Sequence, residues 1–205
     1  HYSSKLIKYA GDYTGEEYVG CNENAKLPEP PAGYKYIFTV NGEVWNGENI
    51  TENVTVTVVK EIEIYTVTYT GDYEGTEQVK YRENANLPEP PIGYKYIFTV
   101  NSEVWNGENI TENVTVTVVK ENLTYTVTYT GDYEGTEQLK YPENANLPEP
   151  PAGYKYIFTV NGELWNGENI TENVTVTVVK EKEIYTVTYT GDYSGTESVK
   201  YREYA

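Results

Sequence analysis

Four kinds of residue in this chain could do chemistry. Two acidic, Asn-rich loop sequences, GDYEG and WNGENITEN, carry oxygen donors of the type calcium takes from carboxylates and backbone carbonyls. Neither has the alternating D-x-D-x-D ladder of a dedicated site, so calcium is weighed as a cofactor only against a plain acidic loop, which is preferred; no other cofactor is indicated. Seven N-x-T triplets begin at Asn49, Asn53, Asn109, Asn113, Asn122, Asn169 and Asn173. They would be glycan acceptors in a cell that has the machinery. The competing reading is that Asn serves a turn and Thr a strand. Trp45, Trp105 and Trp165 could line an aromatic face for sugar or protein; one Trp per 60 residues reads first as a core anchor. Lys60, Asn53 and Glu61 supply the residue types of an intramolecular isopeptide bond.

Catalytic arrangements are sparse. The single histidine is His1, and no Ser/His or Cys/His pair, metal-spaced cluster or glycine-rich phosphate loop is present. The chain is expected not to be an enzyme. Its one cysteine, Cys21, excludes an internal disulfide framework. Tyr81 and Tyr141 stand at the equivalent place in later copies, and Cys21 is expected to be a free, buried or half-buried thiol. With 32 acidic against 15 basic residues and a formal charge of −17, nucleic acid and anionic membranes are disfavoured partners, for want of a basic footprint. No apolar run approaches the ~20 residues of a membrane span, so membrane insertion is not expected. The start at His1 reads as that of a processed or excised piece.

These residues sit in a repeat. WNGENITENVTVTVVKE occurs three times unchanged, GDY recurs at Gly11, Gly71, Gly131 and Gly191, and the period is 60 residues. Tyr65–Glu121 and Tyr125–Glu181 differ at five of 57 positions. A fixed period of this length means an array of like modules. The expected boundaries are 1–64, 65–124, 125–184 and a partial copy, 185–205; a frame starting at GYKY fits the sequence as well.

Within one copy, YTVTYT alternates Tyr65, Val67 and Tyr69 against threonines, the pattern of a strand with one buried face. GDYEG is a turn and TEQVKY the returning strand. ENANLPEPP, rich in prolines that lack donors, is a crossover with at most a helical turn near Glu83–Leu87. GYKYIFTV is a third strand. NSEVWNGEN is a turn-rich link, and ENVTVTVV closes the copy with Val114, Val116 and Val118 on one face. Apolar parity switches between Val54 and Tyr69 with no Gly, Pro or Ser-rich linker, as where one segment leaves one core for the next. The predicted fold is mainly β, or α+β if the crossover is helical: an elongated tandem array of small modules.

YTVTYTGDYEGTEQVKY followed by PxGYKYIF, a Trp-bearing link and a closing VTVTV strand resembles the internalin B-repeat family, or Listeria–Bacteroides repeat, over essentially the whole chain. The family's Gly-Trp pair after the third strand is absent here. The resemblance implies β-grasp-like modules in extracellular bacterial surface or secreted proteins, serving as spacers or in adhesion. A stiff stalk is the reading preferred. Adhesion to a host glycan or protein through repeated aromatic patches is the first alternative. Filament formation by end-to-end self-association, through strand pairing at incomplete terminal modules, is the second.

Overall fold

The computed structural model describes residues 3–204, and among these every regular element is a strand. Three similar five-stranded sheets follow one another. The first contains β1 (Lys5–Gly11), β2 (Gly15–Val19), β3 (Tyr34–Val40), β4 (Glu43–Val44) and β5 (Val54–Ile62). The second contains β6 (Ile64–Gly71), β7 (Gly75–Lys80), β8 (Tyr94–Val100), β9 (Glu103–Val104) and β10 (Val114–Asn122). The third contains β11 (Thr124–Gly131), β12 (Gly135–Lys140), β13 (Tyr154–Val160), β14 (Glu163–Leu164) and β15 (Val174–Lys182). A two-stranded sheet of β16 (Ile184–Tyr189) and β17 (Gly195–Lys200) completes the described chain.

The first sheet has the order β2-β1-β5-β3-β4, and the other two repeat it. Its centre is a parallel pair, β1 on β5, in the register Ile7↔Val54 to Gly11↔Val58. The rest is antiparallel. This is the strand order of a β-grasp. The expected hairpin, third strand and closing strand are all present. Within the link around Trp45, the structure adds one short strand, β4.

Alternation makes the core. Val56 and Val58 of β5 are fully buried with Ile7, while Thr55 and Thr57 face outward. Tyr9, Val19 and Phe38 complete the cluster, with Trp45 packed against it. Val67, Tyr69, Val79, Ile110, Val116 and Val118 are the corresponding buried residues of the second module. Those of the third are Val127, Tyr129, Leu139, Ile170, Val176 and Val178.

No helical turn forms at Glu83–Leu87; the crossover stays extended. Its polar backbone is satisfied by a loop instead of by itself. Arg82 N donates to Ile110 C=O at 2.7 Å, Ile110 N to Glu83 C=O at 3.0 Å and Ala85 N to Gly107 C=O at 2.7 Å. With Pro88, Pro90 and Pro91 following, an i→i−4 ladder had few donors to offer.

The GDY motif closes the central parallel pair. A β-carbon on Gly11 would lie 2.5 Å from Val58 O, and its φ is +106°. Glycine is required there on both counts. Asp12 N then donates to Val58 C=O at 2.9 Å, and the Asp12 carboxylate accepts from Lys60 N at 2.7 Å.

By compactness the chain divides into two units. One holds the residues up to Pro88 together with Ile97–Val119; the other holds Glu89–Tyr96 together with the residues from Lys120 onward. The division runs through β8 and β10. The first junction between modules lies wholly in the first unit, and the other two lie wholly in the second.

Candidate functional site

Each module places its Trp at the edge of an aromatic cluster. Tyr9 packs edge-on against Phe38 at 6.2 Å, Trp45 at 6.4 Å and Tyr13 at 5.7 Å between centroids. Tyr129 repeats this with Phe158, Trp165 and Tyr133, and Tyr69 meets Trp105 at 6.4 Å. The indoles are half-buried, seated by β4 and its copies. Trp45 N donates to Phe38 C=O at 2.8 Å, and Trp105 and Trp165 do the same with Phe98 and Phe158. Core anchor and surface aromatic are therefore one residue. In the third module Tyr156, Ile157, Phe158, Leu164, Trp165 and Asn166 line an open depression. Val44, Val104 and Leu164, immediately before each Trp, are 83–84% exposed.

Beneath the Trp, the buried tyrosine hydroxyl meets a glutamate. Tyr69 Oη donates to Glu77 at 3.3 Å, and the same carboxylate accepts Asn86 N of the crossover at 2.8 Å. Tyr129, Glu137 and Asn146 repeat the arrangement. In the first module Glu17 accepts Lys26 N at 3.0 Å, while Tyr9 Oη is buried without a partner. Burial, and then Glu17, push the Tyr9 phenol up to about 12. Burial and Glu137 push Tyr129 up to about 12, and burial and Glu77 raise Tyr69 likewise. These groups hold the crossover to the hairpin.

The seven sequon asparagines fall into two kinds. Asn53, Asn113 and Asn173 accept the backbone N–H of Leu6, Thr66 and Thr126 at 2.8–2.9 Å, extending the parallel pair by one bond. Asn122 Nδ2 donates to Tyr141 C=O at 2.6 Å. Asn49, Asn109 and Asn169 are exposed at φ values of 52–55°.

The isopeptide residue types are not brought together. Asn53 holds Leu6, whereas Lys60 lies seven residues of strand away, roughly 23 Å at 3.3 Å per residue, with its Nζ 5.0 Å from the Tyr34 ring centroid. Among the described residues no three His, Cys, Asp or Glu side chains converge as a metal site, and no helix is long and apolar enough to cross a membrane. His1 lies outside the described residues.

Cys21 is exposed, which corrects the expectation of a buried thiol. The reason lies in how a tyrosine packs on a glycine at the junctions, a contact that sequence reading missed. Tyr81 and Tyr141, the equivalents of Cys21, cover Gly33 and Gly93, and Tyr201 covers Gly153. Among the described residues nothing offers Cys21 such a glycine. The signal was present in the repetition of this tyrosine, but only its partner gives it meaning. Each junction has two backbone bonds as well: Glu63 N to Gly33 C=O at 2.7 Å and Tyr81 N to Glu63 C=O at 2.9 Å, repeated at Leu123 and Glu183.

Comparison with protein-family models, curated proteins and solved structures finds no match.

Proposed function

We propose that this chain is a structural repeat segment of an extracellular bacterial surface protein, acting as a stiff spacer. The observation that carries the reading is the junction. One residue, Glu63, Leu123 or Glu183, separates the last strand of a module from the first strand of the next. Both its backbone groups are hydrogen-bonded across the junction, and a tyrosine ring is seated on the preceding glycine. A chain built to keep modules independent would carry a flexible linker there. The resemblance to the internalin B-repeats supports the compartment. Small-angle scattering at several concentrations tests the reading. A concentration-independent maximum dimension and a profile without inter-module flexing are expected; a jointed profile would overturn it.

Adhesion through the aromatic patches is the second reading, favoured by the half-buried Trp beside an exposed Val44, Val104 or Leu164. A glycan array read against Trp105→Ala tests it, and no Trp-dependent binder would remove it. Self-assembly by strand pairing is the third. β16 has one strand neighbour, whereas β1, β6 and β11 have two. Growth in particle size with concentration, in the same scattering series, would select it over the spacer.

A further inference from the structure

Five Asn-Gly pairs occur, at Asn41, Asn46, Asn106, Asn161 and Asn166. The structure sorts them into two environments. Asn46 Oδ1 accepts Glu48 N at 3.0 Å, and its Nδ2 donates to Glu48 Oε2 at 3.1 Å. Asn106 and Asn166 are held the same way by Glu108 and Glu168. The glycines after them are buried, and their carbonyls accept Ala25, Ala85 and Ala145 N at 2.7–2.9 Å. Carboxamide and backbone are fixed together.

Asn41 and Asn161 sit instead at the tips of the β3–β4 and β13–β14 hairpins. Asn41 and Gly42 have φ of 51° and 81°, and Asn161 and Gly162 have 50° and 83°. Two consecutive positive values make the two-residue hairpin turn that Asn-Gly favours. Both asparagines are exposed, and among the described residues neither carboxamide has a hydrogen-bond partner. Nothing lies within 4 Å of where a β-carbon would stand on Gly42 or Gly162. The ladders close at Val40↔Glu43 and Val160↔Glu163, which leaves the glycine N–H groups outside them.

We propose that Asn41 and Asn161 are sites of spontaneous deamidation, from which Asn46, Asn106 and Asn166 are protected by their fixed carboxamides. Solvent base removes the Gly42 amide proton, and that nitrogen attacks Cγ of Asn41. The new C–N bond closes a succinimide, and the side-chain nitrogen takes up a proton and leaves as ammonia. Water then adds to one of the two ring carbonyls and breaks its C–N bond, giving aspartate or isoaspartate. The only co-reactant is water. Glycine assists because no β-carbon shields the nitrogen and its backbone can reach the attack geometry. Isoaspartate adds a methylene to the backbone of a two-residue turn that fixes strand register. β4 leads directly into Trp45, so the change loosens the seat of the indole.

The second module supplies an internal comparison. Asn101 has the same φ, 50°, but Ser102 follows it. The test is incubation of the intact chain at mildly alkaline pH, with peptide mapping that separates aspartate from isoaspartate. A gain of about one dalton is expected at Asn41 and Asn161, ahead of Asn101. Asn46, Asn106 and Asn166 should stay unmodified until urea unfolds the chain. Ser102→Gly should bring Asn101 to the rate of Asn41, and Gly42→Ser should slow Asn41 to that of Asn101. Each variant installs a residue that another copy already carries at that place. Equal rates at all five Asn-Gly pairs in the folded chain would overturn the proposal. So would unmodified Asn41 and Asn161 in folded chain whose urea-unfolded form reacts.

Discussion

The ring of Tyr81 lies against the α-carbon of Gly33, in the space a β-carbon would fill. Tyr34 and Tyr65 flank that ring edge-on or tilted at 6.3 and 6.4 Å, and the Arg82 guanidinium stands 5.1 Å from its centroid. Two modules therefore meet through an aromatic group seated on a glycine whose φ is +79°. Gly33→Ala should lose at least about 2 kcal/mol, from left-handed backbone strain plus the displaced ring. Gly42→Ala separates the two contributions. Its φ is +81° with open space beyond, so strain alone acts and the loss should be about 1–2 kcal/mol. Urea unfolding of both variants checks the difference, which should vanish in a Tyr81→Ala background.

Glu77 joins a buried phenol to the crossover. Glu77→Ala leaves Tyr69 Oη and Asn86 N without their acceptor, and should cost about 1–3 kcal/mol. Glu77→Gln keeps an acceptor and should cost less. Hydrogen exchange at Asn86 would report the loosened crossover separately from global unfolding.

Asn113→Ala should cost about 1–2 kcal/mol, because Thr66 N loses its acceptor at the end of the parallel pair. Asn109→Gly, at a position with φ 52° and an exposed side chain, should cost far less. Thermal denaturation of the two variants makes the comparison. Equal losses would mean that the Asn113 carboxamide contributes nothing particular.

The buried phenols make the fold sensitive to alkali. Tyr9 and Tyr129 are raised to about 12 from an ordinary value of 10.0. Above pH 10 the unfolded chain gives up these protons while the folded chain keeps them. The unfolded state then binds fewer protons, and stability falls as pH rises. The contribution is whole below pH 10 and lost by about pH 12, up to about 3 kcal/mol for each buried ring. A late rise in tyrosinate absorbance should coincide with a change in Trp fluorescence.

Strands were legible because their information is local. The alternation of Val114, Val116 and Val118 with threonines marks a buried face without reference to anything else, and Val116 and Val118 are buried. The parity switch before Tyr65 likewise located a junction that a single residue, Glu63, occupies. What failed depended on distant partners. The crossover at Glu83–Leu87 could have turned helical on its own, but the Gly107–Ile110 loop took its hydrogen bonds. Cys21 looked buried by residue type, yet burial at that position comes from a glycine on a neighbouring module. Asn53 read as a turn residue, and its carboxamide reaches Leu6, 47 residues earlier. The candidate site was legible in its Trp and sequons as residue types. The sorting of the asparagines into bonded and free required the fold.

The parallel pairing of β1 with β5 has a mechanical consequence. The strand that opens a module and the strand that closes it lie side by side and point the same way, over five paired residues. Tension entering through one and leaving through the other would slide them past each other. The ladder, with the Asp12–Lys60 and Asn53–Leu6 bonds at its two ends, must then yield all at once, not one bond at a time. β11 and β15 repeat the geometry, so resistance to pulling is set by shear across the centre of each sheet.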